Sequence, residues 1–181
     1  NYYGLTDKYL YDALDVYKDQ IKDKRIGILG SVLPWYECII LKYGGNPITL
    51  DYNKRYSLDS RIKTMTLKQY LKNPIKFDVI LSISSFEHDG LGRYGDPINP
   101  QGDLIAMDDA KKMLKKNGLL FLAVPVGLDC VVWNAHRIYG EIRLPMLLKK
   151  WDLVESFGFS EKKMNSQDLG NYKYQPIFVL K

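Results

Sequence analysis

The sequence contains two cysteines, two histidines and no long apolar run. Neither Cys38 nor Cys130 belongs to a CxxC pair, which argues against a disulfide framework, and we expect two buried free thiols. No apolar stretch approaches the ~20 residues of a transmembrane helix, so we expect no membrane span. The N-terminal stretch NYYGLTDKYLYDALDVYKD lacks the basic start and apolar core of a secretory signal peptide, and we expect a cytoplasmic protein.

The composition is that of a globular chain, with 46% hydrophobic and 26% charged residues among 181. The formal net charge of +5 would suit an anionic substrate or a nucleic acid. The lysines are scattered, however, and those in KKMLKKNG and LLKKWD match solvated helix ends. We therefore expect no nucleic-acid binding.

Apolar runs and helical patterns alternate along the chain, which predicts βαβ units and a doubly wound, mainly parallel sheet. The predicted strands are RIGILGS, NPITLDY, RIKTM, KFDVILSISS, GLLFLAVPVG, LVESFGF and PIFVLK. A helix over DLIAMDDAKKMLKKNG is predicted to have Asp103 as N-cap and Gly118 as its stop. The sequence predicts one Rossmann-like α/β domain over residues 1–181, with residues 1–24 as a helical extension.

Three polar features fall where predicted strands end, the place at which open α/β sheets bind ligands. Gly30 and Ser31 follow the first strand, Asp51 closes the second, and Glu87–Asp89 follow the fourth. The pattern indicates a nucleoside-like cofactor, and the alternative is a plain structural turn. Because Pro34 removes a helix-start N–H, a cofactor without phosphates, such as S-adenosylmethionine, is favoured over a dinucleotide.

The stretch SSFEHDGLGRYGDPINPQGD, residues 84–103, combines charged side chains with glycines and prolines. Its loop, residues 86–102, exceeds the usual connection length in compact domains, and long ordered loops often carry function. Gly90, Gly92 and Gly95 permit positive φ and close approach of the backbone to a ligand. The loop is therefore predicted to lie at a functional site.

The order of elements resembles that of class I S-adenosylmethionine-dependent methyltransferases, whose sheet ends in an antiparallel strand. FDVILSISSFEH is similar to the FDxVxxxxxxEH pattern of many small-molecule methyltransferases, with Ile80 in place of the valine. The resemblance implies that Gly30 and Ser31 support the methionyl end of the cofactor and that Asp51 holds its ribose. We include Ser84 among the cofactor-binding candidates. GSVLPWYE, EHDGLGRYGDPINPQGD and NAHRIYG together resemble the domain of unknown function family 268.

The catalytic candidates are His88, Glu87 and Asp89. His88 could deprotonate an acceptor hydroxyl, with Glu87 or Asp89 orienting the imidazole. The alternatives are a histidine bonded within a turn and an Asx-turn at Asp89–Gly90. A metal site from His88, Asp89, Asp96 and His136 lacks the spacing of known ligand sets, and we expect no metal.

The substrate-binding candidates are Arg93, Tyr94, Asp96, His136 and Arg137. Arg93 could clamp a carboxylate or phosphate, or form an Arg–Asp pair that stiffens the loop. The function predicted first is methyl transfer from S-adenosylmethionine to a small polar acceptor such as a sugar or glycan precursor. The alternative is a non-catalytic module that binds a carbohydrate or protein through residues 86–103, and a metal-dependent hydrolase comes third.

Overall fold

Seven strands form one sheet within residues 3–165 and 173–181, which the computed structural model describes. The strands of the chain are β1 Arg25–Leu29, β2 Asn46–Asp51, β3 Lys63–Thr66, β4 Phe77–Ile83, β5 Leu114–Ala123, β6 Cys130–Val132, β7 His136–Ile138, β8 Leu153–Phe157 and β9 Ile177–Leu180. The order in the large sheet is β3-β2-β1-β4-β5-β9-β8. The first five strands pair in parallel, and β9 is antiparallel to both of its neighbours. The predicted doubly wound sheet with an antiparallel C-terminal strand is confirmed.

Helices cover both faces of this sheet. They are α1 Leu5–Val16, α2 Lys18–Ile21, α3 Trp35–Lys42, α4 Leu67–Lys72, α5 Gly102–Met113 and α6 Arg143–Leu148. The first three pack their buried apolar residues against one face, and the other three pack against the opposite face. The central strand β4 is buried on both sides, which explains its nearly continuous apolar sequence.

The junction between α5 and β5 differs from the prediction. The helix begins at Gly102, so that Asp103 lies fully buried inside its first turn and is not the N-cap. The helix ends at Met113, and Leu114 already pairs with Phe77 in the sheet. Gly118 is therefore a strand residue, where a Cβ would lie 2.9 Å from the backbone oxygen of Asp78. Close approach of two strands, and not a helix stop, requires glycine there.

The sequence prediction omitted the antiparallel hairpin of β6 and β7, whose turn contains Asn134 with φ of 47°. The β-branched pair Val131–Val132 followed by an asparagine tolerant of positive φ was the available signal. The hairpin lies beside the 86–102 loop, because the ring nitrogen Nδ1 of His88 contacts the backbone oxygen of Ala135.

The two cysteines are free, but the prediction that both are buried is wrong. Cys38 is exposed on α3, and Cys130 is partly exposed at the start of β6. Cys38 follows the buried residues Tyr36 and Glu37, so the helix turns it towards solvent. No helix among the described residues is long and apolar enough to cross a membrane.

Candidate functional site

The carboxyl ends of β1, β2 and β4 meet at one edge of the sheet, where the strand order reverses between β1 and β4. A cavity of about 140 Å³ opens at this edge and is called the cleft below. Its lining includes six of the predicted site residues: Gly30, Asp51, Ser84, His88, Asp89 and Tyr94. Residues from three strand ends and from the loop after β4 thus share one cavity.

The turn after β1 closes one side of the cleft. Gly30 has φ of 74°, and a Cβ at this position would lie 2.1 Å from Oγ of Ser85. Both observations require glycine there. The side chain of Ser31 points elsewhere: its hydroxyl lies 2.8 Å from the backbone oxygen of Leu33 and 3.0 Å from Oε2 of the buried Glu37, and Ser31 is not part of the cleft lining. A role of Ser31 at the cofactor therefore stays a prediction.

Asp51 presents a carboxylate at the end of β2. Its Oδ1 accepts the backbone N–H of Asn53 at 2.7 Å, and its Oδ2 accepts Nη2 of Arg55 at 3.0 Å. The side chain is 9% exposed and lines the cleft. Since each carboxylate oxygen has two lone pairs, both oxygens retain capacity to accept a ligand hydroxyl.

The backbone at the end of β4 is strained. Ser84 is a non-glycine residue with φ of 52°, a conformation that concentrates at functional sites. Its hydroxyl donates to Oε1 of Glu87 at 2.7 Å and accepts a hydrogen bond from Gln175 at 3.1 Å. The strained turn therefore links the sheet edge to the buried carboxyl group of Glu87.

Glu87 is a buried carboxyl group, with its side chain 1% exposed. Burial raises the pKa of Glu87 to about 8, although the Ser84 hydrogen bond acts in the opposite direction. Its Oε2 has no hydrogen-bond partner among the described residues. At neutral pH the group is therefore mainly protonated.

His88 is held as one tautomer by the hairpin. Its Nδ1 lies 2.5 Å from the backbone oxygen of Ala135, and because a carbonyl can only accept, Nδ1 carries the proton. The lone pair is then on Nε2, which lies 3.7 Å from Oε1 of Glu87. Burial lowers the pKa of His88, and the charge of Arg93 acts in the same direction. A neutral imidazole with a free Nε2 can accept a proton.

The acidic residues of the loop have different surroundings from those expected. Asp89 forms no Asx-turn: its carboxyl group lines the cleft without a side-chain hydrogen bond to the described residues. Burial raises the pKa of Asp89 to about 7, and the charge of Asp96 adds to the effect. Asp96 instead anchors the loop, accepting the backbone N–H groups of Gly90, Gly92 and Tyr94. Burial alone would raise the pKa of Asp96, but these N–H donors lower it below its usual value.

Of the remaining candidates, Tyr94 lines the cleft, Arg93 is exposed and Arg137 is buried. The ring of Tyr94 meets that of His88 edge to face, with centroids 5.6 Å apart, and the ring of His136 lies 6.4 Å from His88. Arg93 is exposed and forms no ion pair with an aspartate of the described ranges; its guanidinium lies 5.6 Å from the ring centre of Tyr94. Arg137 is 3% exposed and does not reach the cleft lining.

The buried side chain of Arg137 is hydrogen-bonded to the backbone of the 86–102 loop. Its Nη1 donates to the backbone oxygens of Glu87 and Asp89 at 3.3 and 2.7 Å, and Nη2 donates to that of Asn99 at 3.4 Å. Asp103 faces this guanidinium, with 3.8 Å between its Oδ2 and Nε. Arg137 thus orients the backbone that carries His88, and contact with a substrate stays a prediction.

Sequence reasoning missed Glu37, Arg55 and Ala135, which support the predicted residues. Glu37 is 1% exposed, and its carboxyl oxygens lie 3.0 Å from the hydroxyl of Ser31 and 2.6 Å from that of Thr49. A glutamate on an otherwise apolar helix face was the only signal for it. No group of three or more His, Cys, Asp or Glu side chains in the described ranges is arranged to hold a metal ion.

Solved structures with the same fold are S-adenosylmethionine-dependent methyltransferases. One is Burkholderia thailandensis 1,6-didemethyltoxoflavin-N1-methyltransferase, solved with 1,6-didemethyltoxoflavin and S-adenosylhomocysteine: TM-score 0.64, 13% identity, 97% of this chain and 86% of that chain covered. A second, from Mesorhizobium loti, has a TM-score of 0.59 and 9% identity, with 95% and 97% covered. A putative one from Listeria monocytogenes has a TM-score of 0.59 and 12% identity, with 98% of both chains covered. The fold is therefore that of class I methyltransferases.

No curated protein matches the chain. A family match covers residues 23–177, from just before β1 to the first residue of β9, and so includes every residue of the cleft named above. The family is described as Caenorhabditis protein of unknown function, DUF268. The chain belongs to this DUF268 family.

Proposed function

We propose that the chain binds S-adenosylmethionine in the cleft and transfers its methyl group to a hydroxyl of a small polar acceptor such as a sugar. The convergence of Gly30, Asp51 and His88 on one cavity at the strand-order reversal carries the proposal. The fold shared with methyltransferases from other organisms supports it.

The lining of the cleft fits a nucleoside that carries positive charge. The carboxylate of Asp51 suits the two hydroxyls of a ribose, and Leu50, Leu67 and Met113 supply apolar surface for a base. Asp89 and Asp109 add acidic groups to the lining, which favour a sulfonium and an ammonium group.

When bound, S-adenosylmethionine supplies an electrophilic methyl group on a sulfonium. The chain contributes positioning and a proton acceptor. Transfer of the methyl group to an acceptor oxygen releases the hydroxyl proton, and Nε2 of His88 takes it, since Nδ1 is already protonated. Tyr94, which packs on the imidazole edge, limits the positions that an acceptor can occupy beside His88.

Binding of S-adenosylmethionine should depend on Asp51. Replacing Asp51 by alanine removes the acceptor of two ribose hydroxyls, and we expect about tenfold weaker binding or more. Isothermal titration measures the affinity. Asp59→Ala is the matched control, because Asp59 pairs with Arg61 outside the cleft lining. A folded wild-type protein that does not bind S-adenosylmethionine would remove the proposal.

Turnover should depend on Nε2 of His88. In His88→Asn, the amide N–H can still donate to the oxygen of Ala135, but no base replaces Nε2. We expect a loss of turnover on the order of a hundredfold, with S-adenosylmethionine binding retained. Release of S-adenosylhomocysteine in the presence of hydroxylated acceptors measures it. If the variant and the wild type turn over equally fast, a group other than His88 accepts the hydroxyl proton.

A further inference from the structure

Arg93 differs from the other arginines in having no hydrogen bond or ion pair with any residue that the structure describes. The sequence contains six arginines. Five of them donate a side-chain hydrogen bond to a carboxylate or a backbone oxygen: Arg25, Arg55, Arg61, Arg137 and Arg143. The guanidinium of Arg93 lies 5.6 Å from the ring centre of Tyr94 and forms no hydrogen bond or ion pair within the described part of the chain. Its five donor N–H groups thus lie at the surface without an anionic partner among residues 3–165 and 173–181.

The loop holds Arg93 in a fixed place. Oδ2 of Asp96 accepts the N–H of Gly90 at 2.7 Å, and its Oδ1 accepts that of Tyr94 at 3.2 Å. The N–H of Asn99 closes the loop onto the oxygen of Gly90 at 2.8 Å. The backbone that carries Arg93 is thus pre-organised, so that binding an anion there costs little ordering of the loop.

Tyr94 connects Arg93 to the cleft. Tyr94 lines the cleft and packs against His88. The positive charge of Arg93 lowers the pKa of His88, in addition to the larger effect of burial, and does the same at His136. The guanidinium lies 5.6 Å from the ring centre of Tyr94, and that ring lies 5.6 Å from the ring of His88, so that one aromatic ring separates Arg93 from the proposed base.

We propose that Arg93 binds a carboxylate or phosphate group of the methyl acceptor, so that the acceptor is an anionic hydroxyl compound. This inference rests on the proposed function for the assignment of His88 as the base. A sugar phosphate and a sugar acid share the required chemistry: an anionic group for bidentate contact with a guanidinium and a nearby hydroxyl. Neutral sugars lack the anionic group.

The two histidines provide the readout. Each gives its own imidazole signals in NMR, and both lie within the field of Arg93. Inorganic phosphate, glucose 6-phosphate, glucuronate and glucose are titrated into the wild type, Arg93→Gln and Arg61→Gln. Arg61 is an exposed arginine paired with Asp59 outside the cleft lining and serves as the matched control.

In the wild type and in Arg61→Gln, the three anions should raise the pKa of both histidines, whereas glucose should not. A response to only one of the two sugar anions identifies the anionic group. In Arg93→Gln, both pKa values should be raised before any addition, and anion binding should weaken about tenfold or more. Equal anion binding by Arg93→Gln and the wild type, or no response to any anion, overturns the inference. S-adenosylhomocysteine binding is measured on the same samples. If the wild type binds the anions but not S-adenosylhomocysteine, the proposed function is wrong and the anion site at Arg93 remains.

Discussion

Glu87→Gln is expected to raise the free energy of unfolding at pH 7 by about 3 kcal/mol. The folded-state pKa of about 8 lies above the value of 4.5 expected for the unfolded chain. Between these values the unfolded state releases a proton that the native state keeps, so stability falls as pH rises from 4.5 to about 8. Glutamine mimics the protonated side chain and removes this dependence.

Chemical denaturation across this pH range measures the effect. Glu161→Gln is the control, because Glu161 is exposed and should change the free energy of unfolding by less than about 0.5 kcal/mol. If Glu87→Gln retains the fall in stability with pH, another group causes it, and the carboxyl of Glu87 is ionised in the native state at neutral pH.

The same variant should change the pH profile of turnover. Above pH 8, ionised Glu87 would lie 3.7 Å from Nε2 of His88 and would oppose the lowering of the pKa of His88 by burial, which makes Nε2 a stronger base. The wild type should therefore gain turnover as pH rises through about 8, and Glu87→Gln should not. If turnover depends on pH in the same way in the wild type and in Glu87→Gln above pH 8, Glu87 has only a structural role. Glu87 acts through His88 and is a positioning residue.

The sheet and its edge were predictable because both depend on local pattern. Runs such as FDVILSIS are apolar on both faces, and only a buried parallel strand explains them at this length. Once the strands were assigned, the positions of Gly30, Asp51 and His88 at one edge followed from the parallel geometry.

The side-chain directions were not predictable in the same way. Ser31 follows Gly30, but its hydroxyl turns to Glu37, whose carboxyl group is buried by the packing of α3 on β2. Arg137 is 50 residues from Glu87, and its direction is set by three backbone oxygens of the 86–102 loop. Such contacts depend on tertiary packing, and no spacing in the sequence encodes them.

Asp89 and Asp96 differ in role because only Asp96 accepts the backbone N–H groups of the loop. The dipeptide Asp89–Gly90 is a common turn signal, yet the N–H of Gly90 donates to Asp96, which also receives that of Gly92. One carboxylate that satisfies several N–H groups replaces several separate turns. Asp89 is then left facing the cleft, as a candidate for binding and not as a turn residue.

Gly90→Ala is expected to cost about 4 kcal/mol of folding free energy and to abolish binding of S-adenosylmethionine. Gly90 has φ of 78°, and a Cβ there would lie 2.1 Å from the backbone oxygen of Asn99 and 3.1 Å from Cα of Gly102. Both neighbours are backbone atoms and cannot rotate away. The loop must therefore move, which breaks its hydrogen bonds to Asp96 and Asn99.

Gly95→Ala is the matched control for this change. Gly95 has φ of 85° in the same loop, but a Cβ there meets nothing within 4 Å. Only the backbone strain remains, which costs about 1–2 kcal/mol. Denaturation and isothermal titration on both variants separate steric overlap from loss of glycine flexibility. If Gly95→Ala abolishes binding while Gly90→Ala does not, the ligand contacts the exposed tip of the loop, as a non-catalytic binding module would require, and the cleft is not the site.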